Sequence, residues 1–140
     1  MPLTTHASPH LSWEELGCND GTPYPEAIRH TRGVILAAEF EAVRELYGKP
    51  LYVNSAYRTP AWNTKVGGSK ASQHCEGRAL DLQPLWRDRV DQRAVIALWR
   101  AASERAQRPL SRIRGLGFYP WGVHIDIRPA DTLVTWDERR

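Results

Sequence analysis

Residues 72–81 read S-Q-H-C-E-G-R-A-L-D, a histidine seven positions ahead of an aspartate with a glycine between them. Gly77 divides the stretch. Behind it, R-A-L-D-L-Q (78–83) alternates in the period-two manner of a strand, whereas the residues ahead of it carry turn chemistry. If 78–83 is a strand, His74 ends a loop and Asp81 projects from a sheet, so the two side chains can converge on one point. On their own they are equally well an ordinary turn histidine and an ordinary strand carboxylate.

Working outward, L-Y-V-N-S (51–55) alternates and reads as a strand, and V-H-I-D-I-R (123–128), closed by Pro129, reads as another. T-L-V-T-W (132–136) fits an edge strand. Residues 56–72 are rich in Gly, Pro, Ser and Asn and form a loop, with a short helical turn at P-A-W-N; so long a loop in a small domain is usually functional. Apolar residues at helical spacing predict one helix from Thr31 to Tyr47, stopped by Gly48 and Pro50, and a second from Asp91 to Ala106. Ser12 ahead of W-E-E-L, with Glu15 three residues on, predicts a capped helix start. Trp86, Trp99 and Trp136 are assigned to the core. The pattern is α+β: a small antiparallel sheet packed against helices, a single domain over residues 1–140. Residues 1–10 and 137–140 are expected to be flexible.

The 140 residues suit one domain, and 41% hydrophobic with 25% charged residues is the balance of a soluble globular chain. No apolar run nears the roughly 18 residues of a spanning helix, so no membrane insertion is expected. The net charge of +3 suits an anionic polymer, nucleic acid or cell wall, but no compact Lys/Arg cluster of nucleic-acid type is present. The start of the chain shows no secretory signal pattern. Cys18 and Cys75 form no C-x-x-C pair, and whether they join in a disulfide is open; Cys75 reads as a packed thiol.

Zinc hydrolases favour three ligands drawn from His, Asp and Glu, with a fourth position for water. His74, Asp81 and His124 supply such a set if the strands 78–83 and 123–128 are neighbours. Both histidines lie beside glycine-containing turns with a carboxylate at short spacing, a setting that His6, His10 and His30 lack. Arg58, just after a strand, is of a type that steadies a developing oxyanion, although a salt-bridged or exposed arginine fits its sequence position equally.

Three elements run in order along the chain: S-x-Y-R-x-P-x-x-N (Ser55 to Asn63), G-G-S-x-x-S-x-H-x-x-G-x-A-x-D (Gly67 to Asp81), and G-x-G-x-Y-P followed by V-H-x-D (Gly115 to Asp126). Together they resemble the zinc D-Ala-D-Ala carboxypeptidase family, which includes L-alanyl-D-glutamate peptidases, and within it the compact branch of phage and cell-wall proteins. The resemblance implies zinc held by His74, Asp81 and His124, Arg58 polarising the scissile carbonyl, and Ser72 lining the substrate cleft, with Tyr57 beside it. It implies Gly77 and Ala79 kept small by close packing around the metal. It also implies peptidoglycan stem peptides as substrate; with no secretory signal pattern, the expectation is a monomeric phage-type lysin made in the cytoplasm that reaches the wall after release or within a virion.

One position departs from the pattern. Several branches place a catalytic acid three residues before the last histidine ligand, and here Trp121 stands there. Asp126 shares a strand face with His124 and is the candidate general base, or else the group that orients that ligand. Glu76 is a third candidate. Tyr57, Trp62, Tyr119 and Trp121 are placed to wall the cleft. Two other classes remain: a metal-containing wall-binding or phage structural module without catalysis, and a basic nucleic-acid-binding protein.

Overall fold

The computed structural model describes residues 5–85 and 91–139, so Trp86 lies outside the described residues. The chain starts with a strand pair, β1 (His6–Ser8) and β2 (Leu11–Ser12), then α1 (Trp13–Leu16). The start is therefore ordered from His6 rather than loose through residue 10: Leu11 is fully buried, and Glu41 accepts bonds from the Ser8 hydroxyl and the His10 backbone. Ser12 caps α1 in a reciprocal capping box with Glu15.

α2 (Val34–Tyr47) buries Leu36, Ala37, Phe40 and Val43 and ends on Gly48 in the left-handed conformation. Its predicted first turn is instead a wide π-helical turn over Arg29–Gly33. β3 (Leu51–Ser55), α3 (Pro60–Lys65), β4 (Ala79–Pro84), α4 (Gln92–Ala106), β5 (Gly115–Tyr119), β6 (Gly122–Asp126) and β7 (Val134–Asp137) follow. β5 was not anticipated. No described helix is long and apolar enough to cross a membrane.

The main sheet has the order β3-β4-β6-β5-β7 and is antiparallel except at its edge, where β7 runs parallel to β5. Leu80 and Leu82 of β4, with Val123 and Ile125 of β6, join the core cluster with Leu98, Ala101 and Ala102 of α4. Each of the leucine, valine and isoleucine side chains is worth about 1.5–3 kcal/mol when buried, which holds the strand register. α2 packs against α4, and between them the buried Glu39 accepts from Arg105, from the Ser111 hydroxyl and from the Arg112 backbone. The single small domain is thus a mixed α/β unit with helices on one sheet face. The tail is not loose at Asp137, which belongs to β7, and the Arg139 guanidinium lies over Trp99 and Phe118.

Alternation sends the polar residues of β4 and β6 to the opposite face. Asp81 pairs directly with Ser55 on one side and His124 on the other; His124 pairs with Gly117, and Gly117 with Trp136. Five strands therefore contribute one transverse row, Ser55–Asp81–His124–Gly117–Trp136.

Candidate metal centre

Asp81 and His124 are fixed by that register, and His74 is brought to them by the loop before Gly77. Gly77 has φ +69°, and a Cβ there would lie 2.6 Å from Ile28 Cδ1, so it is glycine because of the turn and its packing against Ile28 and Tyr24, not because of the centre. The Tyr24 hydroxyl donates to the Gly77 carbonyl at 2.6 Å and ties the turn to the core. The His74 backbone N–H donates to Ser72 Oγ, and the Arg58 N–H donates to the His74 carbonyl.

The ring nitrogens decide what the centre can hold. His74 Nδ1 is 2.6 Å from the Ala56 carbonyl, which can only accept, so Nδ1 carries the proton and Nε2 of the neutral ring presents a lone pair. His124 Nε2 is 2.7 Å from Asp126 Oδ2, which leaves Nδ1 with the lone pair. Asp81 Oδ1 stands 3.2 Å from His74 Nε2 and 3.0 Å from His124 Nδ1. With both rings neutral, three acceptors face one another at a separation that repels unless a cation lies among them. A tetrahedron with bonds of about 2.0–2.1 Å has edges of roughly 3.3 Å, so the spacing suits a small metal ion. These three residues form a group able to hold a metal, with all ligand atoms within 4.8 Å of one another and all three residues buried.

Without a metal, burial alone would push Asp81 up, but hydrogen bonds and charge from His124 and His74 in their protonated forms hold its carboxyl well below the usual carboxylate range. Burial opposes ionisation of Asp126 too, and Arg128 and His124 overcome it and hold that carboxyl low. His124 itself is raised: burial lowers it, but Asp126 and Asp81 outweigh burial.

The cleft over the centre has a volume of about 590 Å³. Arg58, Ser72, Tyr119 and Trp121 line it with the three candidate ligands. Arg58 is held by Ser55 Oγ at 3.1 Å and Asn63 Oδ1 at 3.2 Å, and its Nη2 lies 3.5 Å from Asp81 Oδ2. Asn63 in turn donates to the Ser69 carbonyl, so it braces the loop.

Five expected placements change. Asp126 is fully buried behind His124; Oδ2 takes His124 and Arg128, and Oδ1 takes the Arg128 Nε and backbone N–H. Both oxygens are occupied on the side of the ring away from Asp81, so of the two expected roles the geometry favours orienting His124 over acting as general base in the cleft. Tyr57 packs edge-on against Tyr24 at 6.1 Å, beside the core rather than in the cleft, and Trp62 is likewise not among the lining residues. Glu76 is exposed and pairs with Arg32 and Arg78. Trp136 is not a core residue: it lines the cleft, its ring 5.2 Å from that of His124 and its Nε1 donating to the Tyr119 hydroxyl at 2.8 Å.

Gly117 permits this, since a Cβ there would lie 2.4 Å from Trp136 Nε1. Trp136 and Arg128 are the functional positions that sequence reasoning missed. Arg128 was within reach, because it stands two residues past Asp126 on the same alternation. Cys18 and Cys75 are free thiols, and burial pushes the Cys75 thiol up, against a ligand role.

A family model described as Peptidase M15 matches residues 9–126, and no curated protein matches the chain. The matched span contains Arg58, His74, Asp81 and His124, while Arg128 and Trp136 lie beyond it. A match over that much of the chain, on a fold that gathers those residues at one cleft, makes this protein a member of the peptidase M15 family of metallopeptidases.

Proposed function

We propose that the protein is a zinc peptidase that hydrolyses an amide bond in the stem peptide or cross-link of peptidoglycan, as a carboxypeptidase or endopeptidase of the compact lysin type. The observation that carries this reading is the convergence of His74 Nε2, Asp81 Oδ1 and His124 Nδ1, with the opposite nitrogen of each ring already committed to Ala56 or Asp126. Such partners fix the tautomer and aim of metal-ligating histidines. When bound, zinc supplies Lewis acidity, polarising a carbonyl and lowering the pKa of a water to about 7.

The protein's own groups complete the site. Arg58, held rigid by Ser55 and Asn63, is placed to donate to the oxygen of the scissile carbonyl as negative charge grows on it. Ser72 fixes the His74 backbone, and Tyr119, Trp121 and Trp136 form an aromatic wall for a peptide. Among the described residues, Asp81 is the one carboxylate that lines the cleft. Removal of the water proton therefore lacks the protein base that ordinarily gives about 10²–10⁴ in rate, and turnover is expected to be slow.

That same observation favours a second reading, a wall-binding module that keeps the metal centre without hydrolysis. Mass spectrometry of digested peptidoglycan separates the two. The peptidase reading expects new termini at one amide bond, abolished by chelator and by His74→Ala. Undigested peptidoglycan that nonetheless retains the protein would leave only the binder.

A further inference from the structure

A second pocket, of about 540 Å³, lies at the end of the sheet where β6 exits and β4 and β5 begin. Arg32, Arg78, Arg112, Arg114 and Arg128 line it, and none of its lining residues is acidic. They come from four separate stretches of chain, so no single helix or charged segment accounts for the cluster: the π-helical turn, the approach to β4, the approach to β5 and the exit from β6.

Two carboxylates partly offset the five guanidiniums. Glu76 Oε1 stands 3.4 Å from Arg32 and 3.8 Å from Arg78, but its side chain is 53% exposed, so this pairing is weak and screened. Asp126 holds Arg128. Among the described residues, the guanidiniums of Arg112 and Arg114 have no carboxylate partner, although the Arg112 backbone N–H donates to Glu39. Arg114 Nη1 donates to the carbonyls of Ser111 and Ile113 at 3.0 and 2.9 Å, which fixes the half-buried guanidinium without neutralising it. Guanidinium forks match planar oxyanions in bidentate fashion, and cations gathered around one cavity repel until an anion enters.

We propose that this pocket is a second binding site, for a multiply charged oxyanion: a set of carboxylates or a phosphate. Arg128 lines both this pocket and the metal cleft, so one polymer strand can fill both, with its anionic group held here while a neighbouring amide enters the cleft. The assignment to the same strand rests on the peptidase reading; the anion site does not.

The test is calorimetric titration of the full chain at constant ionic strength. One arm uses inorganic phosphate and the other an acidic muropeptide, set against its amidated form. Each arm is run on the wild type and on Arg112→Gln/Arg114→Gln. The phosphate arm is repeated on His74→Ala, which removes bound metal as a competing acceptor. We expect saturable binding of at least one probe, weakened tenfold or more in the double variant, with metal content and circular dichroism unchanged. Phosphate binding identifies a phosphate source, and preference for the acidic over the amidated muropeptide identifies carboxylates.

If the double variant misfolds, Arg112→Ala alone serves, since its side chain has no described partner, with at least a threefold loss expected. No saturable binding of either probe, or equal binding by wild type and variant, overturns the site. Anion binding that survives in a protein unable to cleave peptidoglycan removes the peptidase reading and leaves the pocket standing.

Discussion

At the scale of single residues, Trp121 and Asp126 set what this centre can do. Trp121 lines the cleft at the position where the family resemblance expects a proton acceptor, and Asp126 is turned to the far side of His124. Trp121→Glu is therefore expected to raise turnover on a muropeptide by about 10²-fold, the lower end of what a positioned base supplies, as measured by initial rates under saturating zinc. An unchanged rate would show that the proton leaves by another route. Asp126→Asn keeps the shape but weakens the hold on His124, and metal affinity should fall by about 10–100-fold in chelator competition. The same variant tests a pH dependence. The Asp126 carboxyl is depressed in the fold by Arg128 and His124, so the unfolded chain binds more protons as pH falls. Its contribution to stability is full above the usual carboxylate range and is lost on acidification through and below it. Metal-free Asp126→Asn should accordingly show a shallower acid limb of stability than the metal-free wild type, read by denaturant midpoints between pH 6 and 3.

At the scale of elements, β5, β7 and the turn between β5 and β6 bring Tyr119, Trp136 and Trp121 to one side of the cleft. Gly117→Ala should force Trp136 off its seat against His124, raising KM for a peptide substrate and destabilising the fold by roughly 1–3 kcal/mol, as overpacking does, while metal content stays near one equivalent. β4 and β6 were legible in the sequence because their inward and outward residues alternate cleanly, and α2 and α4 because their apolar residues keep helical spacing. β5 was not, since G-L-G-F-Y-P carries the glycines and proline of a turn. Those glycines have a different cause: a Cβ at Gly115 would lie 2.2 Å from Asp126 Oδ2, and one at Gly117 would meet Trp136. Trp136 was misassigned because alternation gives the face of a residue only once the strand's neighbour is known, and the parallel pairing of β7 with β5 is not written in either segment. The three candidate ligands were legible only together, through the spacing of the family motifs, because a turn histidine or a strand carboxylate taken alone is ordinary. Asp126 was legible as a neighbour of His124, but the side of the ring it serves depends on Arg128 and on space left by Gly115.

At the scale of the whole molecule, the centre joins a loop to two central strands that share the core with α4. Metal that binds the native state alone stabilises it by about 4 kcal/mol at a thousandfold excess over Kd. Stripping it with chelator should lower the midpoint of thermal unfolding by on the order of 10 °C, with recovery on adding zinc back. An unmoved midpoint would mean that the three residues do not hold the ion in the folded state.

The transverse row has a consequence of its own. Ser55, Asp81, His124, Gly117 and Trp136 stand side by side only in one alignment of five strands. A slip of one residue between β4 and β6 turns His124 into the core and Ile125 out of it, so a misaligned sheet loses the centre and its apolar packing together. A metal held there would thus work as a checksum on strand pairing: a chain that retained it would have aligned β4 with β6, and its release during unfolding would time the parting of the central sheet rather than the fraying of a loop.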